Sequence, residues 1–341
     1  MVRRMDAIAA DERTRTGTVE ILPPSAWHKW RDWAHAQGTS PFHTPEWLTI
    51  QARAFHGRPM CVSVLEAGEF KDVIPVVVRK LGPFHVGSSP IHVGTPYGGT
   101  QRRPIDGDIG RGLAGLARQE RISFLDVYLD PRVAVISPKP FRVENHSTYV
   151  LELDQDEERV LQRTESRCRR AIRKAVRLGV SVREMSLDDL PVYEKMARDT
   201  YAHQGRSPPL PIEVVSASLK DPVLRNHTLA LVAEAGGRPL AAGIFPWGAD
   251  TIYYVDGVSF RSGLRLAPNN LLHWTVIQRA LRMGLTRYDL VGASVGSIGL
   301  FKRSFGAAIV PHSRIHWGTS AARVAYRAWN WTARPSQRSG G

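Results

Sequence analysis

Cysteine is almost missing from this chain: Cys61 and Cys168 are the only two in 341 residues. That excludes a disulfide framework and a thiolate zinc site. Long apolar runs are missing too. The longest, Val73 to Val78, is broken by Pro75 and falls far short of the roughly 20 residues that a membrane-spanning helix needs. Residues 1–17 carry charges throughout and lack the apolar stretch of a secretory leader, so a flexible N-terminus and a cytoplasmic location are expected. Glycine-rich phosphate loops and dinucleotide fingerprints are absent. No histidine sits in an H-E-x-x-H pattern, and His312 and His316 lie four apart in an expected strand, where side chains do not converge. No metal is therefore expected. Acidic residues vanish from Val295 to Gly341. This removes Gly292-Ala293-Ser294-Val295-Gly296 as a hydrolase elbow, because the acid of such a triad follows the serine. Ser294 is kept as a turn residue able to hydrogen-bond a substrate.

What is present is positive charge: 46 Lys plus Arg against 32 Asp plus Glu, a net +14. Polyanions such as nucleic acid, an anionic membrane face or a pyrophosphate are the favoured partners. The length implies two domains, each able to bury its own core.

Turn signals and periodicity divide the chain. Helices are expected near 24–35 and from Thr44-Pro45-Glu46-Trp47, where Thr44 is an N-cap and proline takes the first turn. Met60 to Glu66 and Phe70 to Arg79 read as a hairpin, followed by a helix at 109–119 and a strand at 122–129. A junction is placed near Ser147, giving domains 18–147 and 148–319. After a strand at 148–153, Asp154 is expected to cap one long helix through Arg177. Its residues 159, 163, 167, 170, 174 and 177 form a basic stripe, and Arg163, Arg167, Arg170 and Lys174 are candidate polyanion contacts. A loop at 205–211 contains Arg206, a candidate substrate contact. Three strand-like runs at 229–235, 239–247 and 251–259 form a meander. A helix from Pro268 to Met283, a strand at 288–291, a helix at 298–305 and a strand at 308–317 follow. Residues 320–341 read as a C-terminal helix and tail, either packed on the protein or lying on an anionic membrane.

Three antiparallel strands, then helix, strand, helix and strand, is the order of the GNAT acyltransferase core, and the first half repeats it loosely. The expected fold class is α/β (α+β): two tandem GNAT-like domains with mixed, largely antiparallel sheets. Gly299-Leu300-Phe301-Lys302-Arg303-Ser304-Phe305-Gly306, with Ala267 to Trp274 and Tyr288 to Gly292, resembles the FemAB family. Thr44-Pro45-Glu46-Trp47-Leu48, the basic helix Arg169 to Ala175, and Pro239 to Gly243 through Tyr253-Tyr254 extend that resemblance over most of 40–310.

The resemblance implies attack of an acceptor amine on an ester or thioester carbonyl. Lys302 matches the lysine of the family's Phe-Lys pair, a cation placed to steady the tetrahedral oxyanion. Asp289 and Tyr254 are the other catalytic candidates. Phe301, Asn269, Asn270 and Trp47 are candidate substrate contacts, the two asparagines because a helix starts there. The donor is expected to be acyl-CoA or aminoacyl-tRNA, with no tightly bound cofactor, and the acceptor an amine on a cell-envelope precursor or polysaccharide sugar. The loop Phe260 to Ala267 departs from the usual coenzyme A loop. Gln51 stands near the place where peptidoglycan-modifying relatives often carry a lysine. A non-catalytic GNAT pair that binds RNA or a membrane-linked glycan is the alternative expectation.

Overall fold

The computed structural model describes residues 17–89, 94–154, 156–202, 205, 207–293 and 296–333. Among these, thirteen strands form one sheet. They are β1 (Gly17–Leu22), β2 (Arg58–Glu66), β3 (Glu69–Leu81), β4 (Phe84–Ser89), β5 (Phe124–Tyr128), β6 (Arg142–Glu152) and β7 (Val180–Glu184). β8 (Thr228–Ala235), β9 (Arg238–Gly248), β10 (Thr251–Tyr253), β11 (Asp256–Ser259), β12 (Arg287–Asp289) and β13 (Ala308–Gly318) complete it. The helices are α1 (Trp27–Gln37), α2 (Pro45–Ala54), α3 (Gly107–Gln119), α4 (Glu157–Arg163), α5 (Ser166–Arg177) and α6 (Leu190–Ala202). They continue with α7 (Ile212–Lys220), α8 (Pro222–Arg225), α9 (Pro268–Arg282), α10 (Ser297–Arg303) and α11 (Ser320–Ala333).

The sheet runs β1-β2-β3-β4-β5-β13-β6-β12-β10-β9-β8-β7, with β11 on β9. Each half is an antiparallel run that ends in one parallel pair spanned by a helix. In the first half that pair is β4 with β5, through α3. In the second it is β10 with β12, through α9. The duplication, invisible residue by residue, is therefore present in the topology. The two halves share one sheet because β13 inserts between β5 and β6, antiparallel to both. The expected junction near Ser147 falls inside β6.

β13 carries the strongest link between the halves. Arg314 is 2% exposed and donates to both oxygens of Asp126 on β5, at 2.6 and 3.0 Å, and to Glu144 on β6 at 2.7 Å. A guanidinium buried this deeply is tolerated only because its planar fork is matched by carboxylates. Separate apolar clusters fill each half. Leu113, Val76, Ile105 and Val127 belong to the first. Phe245, Ile277, Tyr288 and Phe305 belong to the second.

Three expectations need correction. The long helix is broken: Thr164 takes an extended conformation (ψ 134°) between α4 and α5, and Glu165 N–H donates to Ser304 O. Gly306 lies so close that a Cβ there would meet Arg163 O at 3.2 Å. The end of α10 thus occupies the break, and the basic stripe is split between two helices. The cap of α4 is Asp156, which accepts from Glu158 N–H at 2.9 Å, rather than Asp154. Third, the run at 251–259 is two strands, because the chain turns out of the sheet at Tyr254. At the C-terminus, α11 packs Ala322 and Tyr326 onto the protein, with the Tyr326 ring stacked on Phe124 at 4.5 Å.

Candidate active site

The parallel strands β10 and β12 stay in register up to the pair Tyr253 and Asp289. Tyr254 N–H makes one more bond across, to Asp289 O at 2.8 Å, and Val255 N–H then turns back to Ile244 O. Beyond that point β11 belongs to β9 alone. The strands part, and the opening lies beside the start of α9.

Asp289 is 3% exposed at the end of β12. Its Oδ2 accepts from Tyr97 O–H at 2.8 Å, and its Oδ1 from Thr148 O–H at 2.6 Å and Val291 N–H at 2.7 Å. Burial raises its pKa, and these three donors oppose the rise. Tyr97 belongs to the first half of the chain and Thr148 to β6, so this one carboxyl gathers three segments. Its oxygens are occupied, which makes it a positioning group.

After β12 the backbone enters the left-handed region twice, at Val291 (φ 52°) and Gly292 (φ 75°). A β-branched residue there is a strained outlier costing about 1–3 kcal/mol. Something must hold it. Gly292 N–H donates to Thr148 Oγ1 at 3.0 Å, Ala293 N–H donates to Ser147 O, and Lys302 Nζ donates to Val291 O at 2.5 Å and Gly292 O at 2.9 Å. Lys302 is 4% exposed. Burial lowers its pKa to about 8, opposed by the nearby Asp289 charge. It is therefore a mostly charged ammonium at neutral pH, anchored by two carbonyls, with one N–H beyond those two bonds.

Tyr254 is half-buried, stacked on Phe245 at 5.6 Å and edge-on to His273 at 4.5 Å. Its hydroxyl lies against Gly257, where a Cβ would be only 1.9 Å away, so glycine is required there. Burial raises the Tyr254 pKa and keeps it protonated. His273 is ringed by aromatic side chains that include Phe301 and Phe305, each within 5.5 Å between centroids. Its Nδ1 pairs with Tyr288 O–H at 2.6 Å. Burial, helped by the Lys302 charge, pulls its pKa down to about 3, so it stays neutral.

The start of α9 has no side-chain cap and no acidic residue in its first turn, and Ala267 before it is left-handed (φ 56°). Asn269 is half-buried at this start. Asn270 Nδ2 donates to Cys168 Sγ on α5 at 3.4 Å, so its amide is spent on packing.

The structure thus brings Lys302, Asp289, Tyr254 and Phe301 to one place. Trp47 sits elsewhere, 2% exposed in the core, its indole N–H given to Thr95 at 2.7 Å. Ser294 and Arg206 lie outside the described residues. Arg163 is engaged by Asp154 at 2.9 Å, and Arg167 by Glu165 at 2.8 Å and Leu300 O at 3.1 Å. Arg170 and Lys174 are exposed, with no ion pair among the described residues. Sequence reasoning missed Tyr97, Thr148 and His273. The lone histidine within Leu271-Leu272-His273-Trp274 was the only available signal.

Residues 162–298 match the family model described as an acetyltransferase (GNAT) domain. Among solved structures the chain is similar to FemX, with a TM-score of 0.66 and 12% identity over 90% of this chain and 99% of that one. It also resembles L-PGS from Bacillus licheniformis, with a TM-score of 0.54 and 10% identity over 90% and 95% of the two chains. A C-terminal domain of a putative lysylphosphatidylglycerol synthetase from Agrobacterium fabrum gives a TM-score of 0.52 and 10% identity over 88% and 96%. No curated protein sequence matches the chain. A tandem pair of GNAT-like halves, with the opening of the second beside an uncapped helix, is the architecture of an acyltransferase. Within that class the fold is FemAB-like, shared with FemX over 90% of this chain.

Proposed function

We propose that the protein moves an acyl or aminoacyl group from an activated donor to an amine on a cell-envelope precursor or polysaccharide sugar. The observation that carries this reading is the parting of β10 and β12 at Tyr253 and Asp289, beside the uncapped start of α9 and the buried ammonium of Lys302. The donor lies along this opening, its anionic part towards the start of α9, where the helix dipole favours negative charge.

The acceptor nitrogen attacks the donor carbonyl, forming a C–N bond and a tetrahedral oxyanion. Collapse breaks the C–S or C–O bond, and the proton lost by the amine accompanies the leaving thiolate or alkoxide. Lys302 contributes in two ways: its charge lowers the cost of the oxyanion, and its bonds to Val291 and Gly292 hold the turn that shapes the opening. Tyr254, protonated and at the mouth, hydrogen-bonds the substrate. One structural neighbour is named as part of a putative lysylphosphatidylglycerol synthetase, which supports an aminoacyl donor, and the exposed Arg170 and Lys174 on α5 suit tRNA. No helix among the described residues is long and apolar enough to cross a membrane.

The test is a donor screen by thermal shift with acetyl-CoA, longer acyl-CoAs and charged tRNA, because a ligand bound only by the folded state raises the apparent stability. A saturable shift with one class identifies the donor. No shift with any of them refutes the transferase reading.

A further inference from the structure

Asp256 is a second carboxyl beside the opening, and it is held quite differently from Asp289. It stands at the start of β11, where the chain has left β10 and the parallel pairing with β12 has ended. It is 8% exposed. Tyr193 O–H donates to its Oδ2, and Tyr201 O–H donates to its Oδ1 over a long 3.3 Å. Both tyrosines come from α6, which packs on β11. Asp289 has three donors and the Lys302 charge nearby. Asp256 has no cation beside it: among the described residues the titratable groups facing it are Tyr193, Tyr201 and Tyr254. Burial raises its pKa, opposed by the two tyrosine hydroxyls and by Gly257 N–H.

A buried carboxyl without a counter-charge is costly. As a tie between α6 and β11 an amide would serve equally well, since its oxygen accepts from the same hydroxyls. What the acid adds is negative charge, spare lone pairs and the capacity to take up a proton. The sheet also sets this carboxyl apart from the start of α9. Tyr253 and Val258 pack with Tyr193 and Met196 under α6, whereas Tyr254 packs with Phe245, Leu271 and Ile277 on the side of α9. Asp256 therefore faces one side of the sheet, and a donor whose anionic part lies at α9 occupies the other. The two sides meet where β10 and β12 part.

We infer that Asp256, with Tyr201 beside it, receives the acceptor as its primary ammonium and takes the proton that must leave before the amine can attack. Tyr201 is the half-buried member of the pair, and the ammonium approaches from its side. An N–H bond breaks towards Oδ1, an O–H bond forms there, and the electron pair released on nitrogen attacks the donor carbonyl. A second proton leaves the nitrogen with the thiolate or alkoxide, so the ammonium yields two protons and the product amide keeps one. The catalytic role rests on the transferase reading; recognition of the ammonium does not.

A pH titration of the full chain, isotope-labelled at the aspartate carboxyl carbons and followed by NMR, tests the inference without any donor. Asp256→Asn assigns the resonance, and Tyr201→Phe, which removes only the long bond to Oδ1, confirms the assignment by shifting it. In the free wild-type protein the Asp256 carboxyl should titrate above the ordinary aspartate range. Methylammonium chloride should lower that midpoint, and tetramethylammonium chloride at the same concentration, which carries no N–H, should leave it in place. Equal shifts with both salts, or none with either, overturn the inference. With a donor identified by the thermal screen, Asp256→Asn should slow turnover about 100-fold at neutral pH, as loss of a general base does. That loss should shrink as the pH nears the range in which an alkylamine deprotonates in water by itself, about 10. A loss of the same size at every pH is what a structural tie predicts, and it too overturns the inference. A lowered midpoint together with a silent donor screen would leave the ammonium site standing and refute only the transferase reading.

Discussion

Both halves place a helix between two parallel strands, yet the helices begin in opposite ways. In the first half, Asp106 caps α3 by accepting from Asp108 and Ile109 N–H at 2.9 Å each, and Asp108 adds a negative charge in the first turn. The positive end of that helix is already neutralised. In the second half, α9 starts without a side-chain cap or an acid, and the strand before it is interrupted at Tyr254. In this duplicated scaffold one helix start is neutralised by its own side chains and the other is left without a cap or an acid. The electrostatics at two helix starts express that division better than the fold does.

The largest effect tests whether the halves are one body. Asp126→Ala leaves Arg314 buried with the half-exposed Glu144 as its remaining carboxylate, and loss of one partner of a buried pair costs about 3 kcal/mol. Urea unfolding should show one cooperative transition moved to lower denaturant. Two separate transitions would mean that the halves fold independently.

Lys302→Met addresses the opened half. Turnover should fall roughly 100-fold, the effect of removing one oxyanion-stabilising donor. The pH dependence has a defined sign. Burial moves the Lys302 pKa from 10.5 down to about 8, so the unfolded chain binds more protons between those values. Stability contributed by Lys302 therefore rises with pH through that window. The wild-type minus Met difference in unfolding free energy should grow from pH 8 upward; a flat difference would place the ammonium in an ordinary solvated setting.

Tyr97→Phe is the next smaller step. It removes the one donor to Asp289 Oδ2 that comes from the first half, at an expected loss of about 1–3 kcal/mol. Because Asp289 orders the turn at Val291, turnover should fall with little change in donor affinity, which a comparison of kcat with KM reads directly. The smallest effect belongs to the closed half. Asp106→Ala should lower stability by about 1 kcal/mol and leave donor binding untouched. A loss of donor binding in that variant would reverse the assignment of the two halves.

Much of the second half was legible in the residues. Strand β9 is an apolar run that ends in a turn, α9 begins with proline and is followed by Gly284, and the Phe301-Lys302 pair sits on a short helix as expected. The break between α4 and α5 was not legible, because the basic residues from 159 to 177 keep a continuous helical spacing across Thr164, Glu165 and Ser166. What interrupts them is the end of α10, more than a hundred residues further on. The same holds within the site. Asp289 reads as a strand-end aspartate with several possible roles, and only the folded chain shows it bound by Tyr97, Thr148 and Val291. Trp47, prominent in a motif, proved to be core.

The sequence by itself determined the order of the elements, the excess of positive charge and a cysteine count too low for a disulfide framework, because these follow from local propensity and composition. Tertiary structure alone decided that β13 would join the halves, that Lys302 would be anchored on a left-handed turn, and that Tyr97, Thr148 and Val291 would converge on Asp289. Each of those depends on groups distant in the chain meeting in a low-dielectric interior, where pairing and burial, rather than local preference, set the energy.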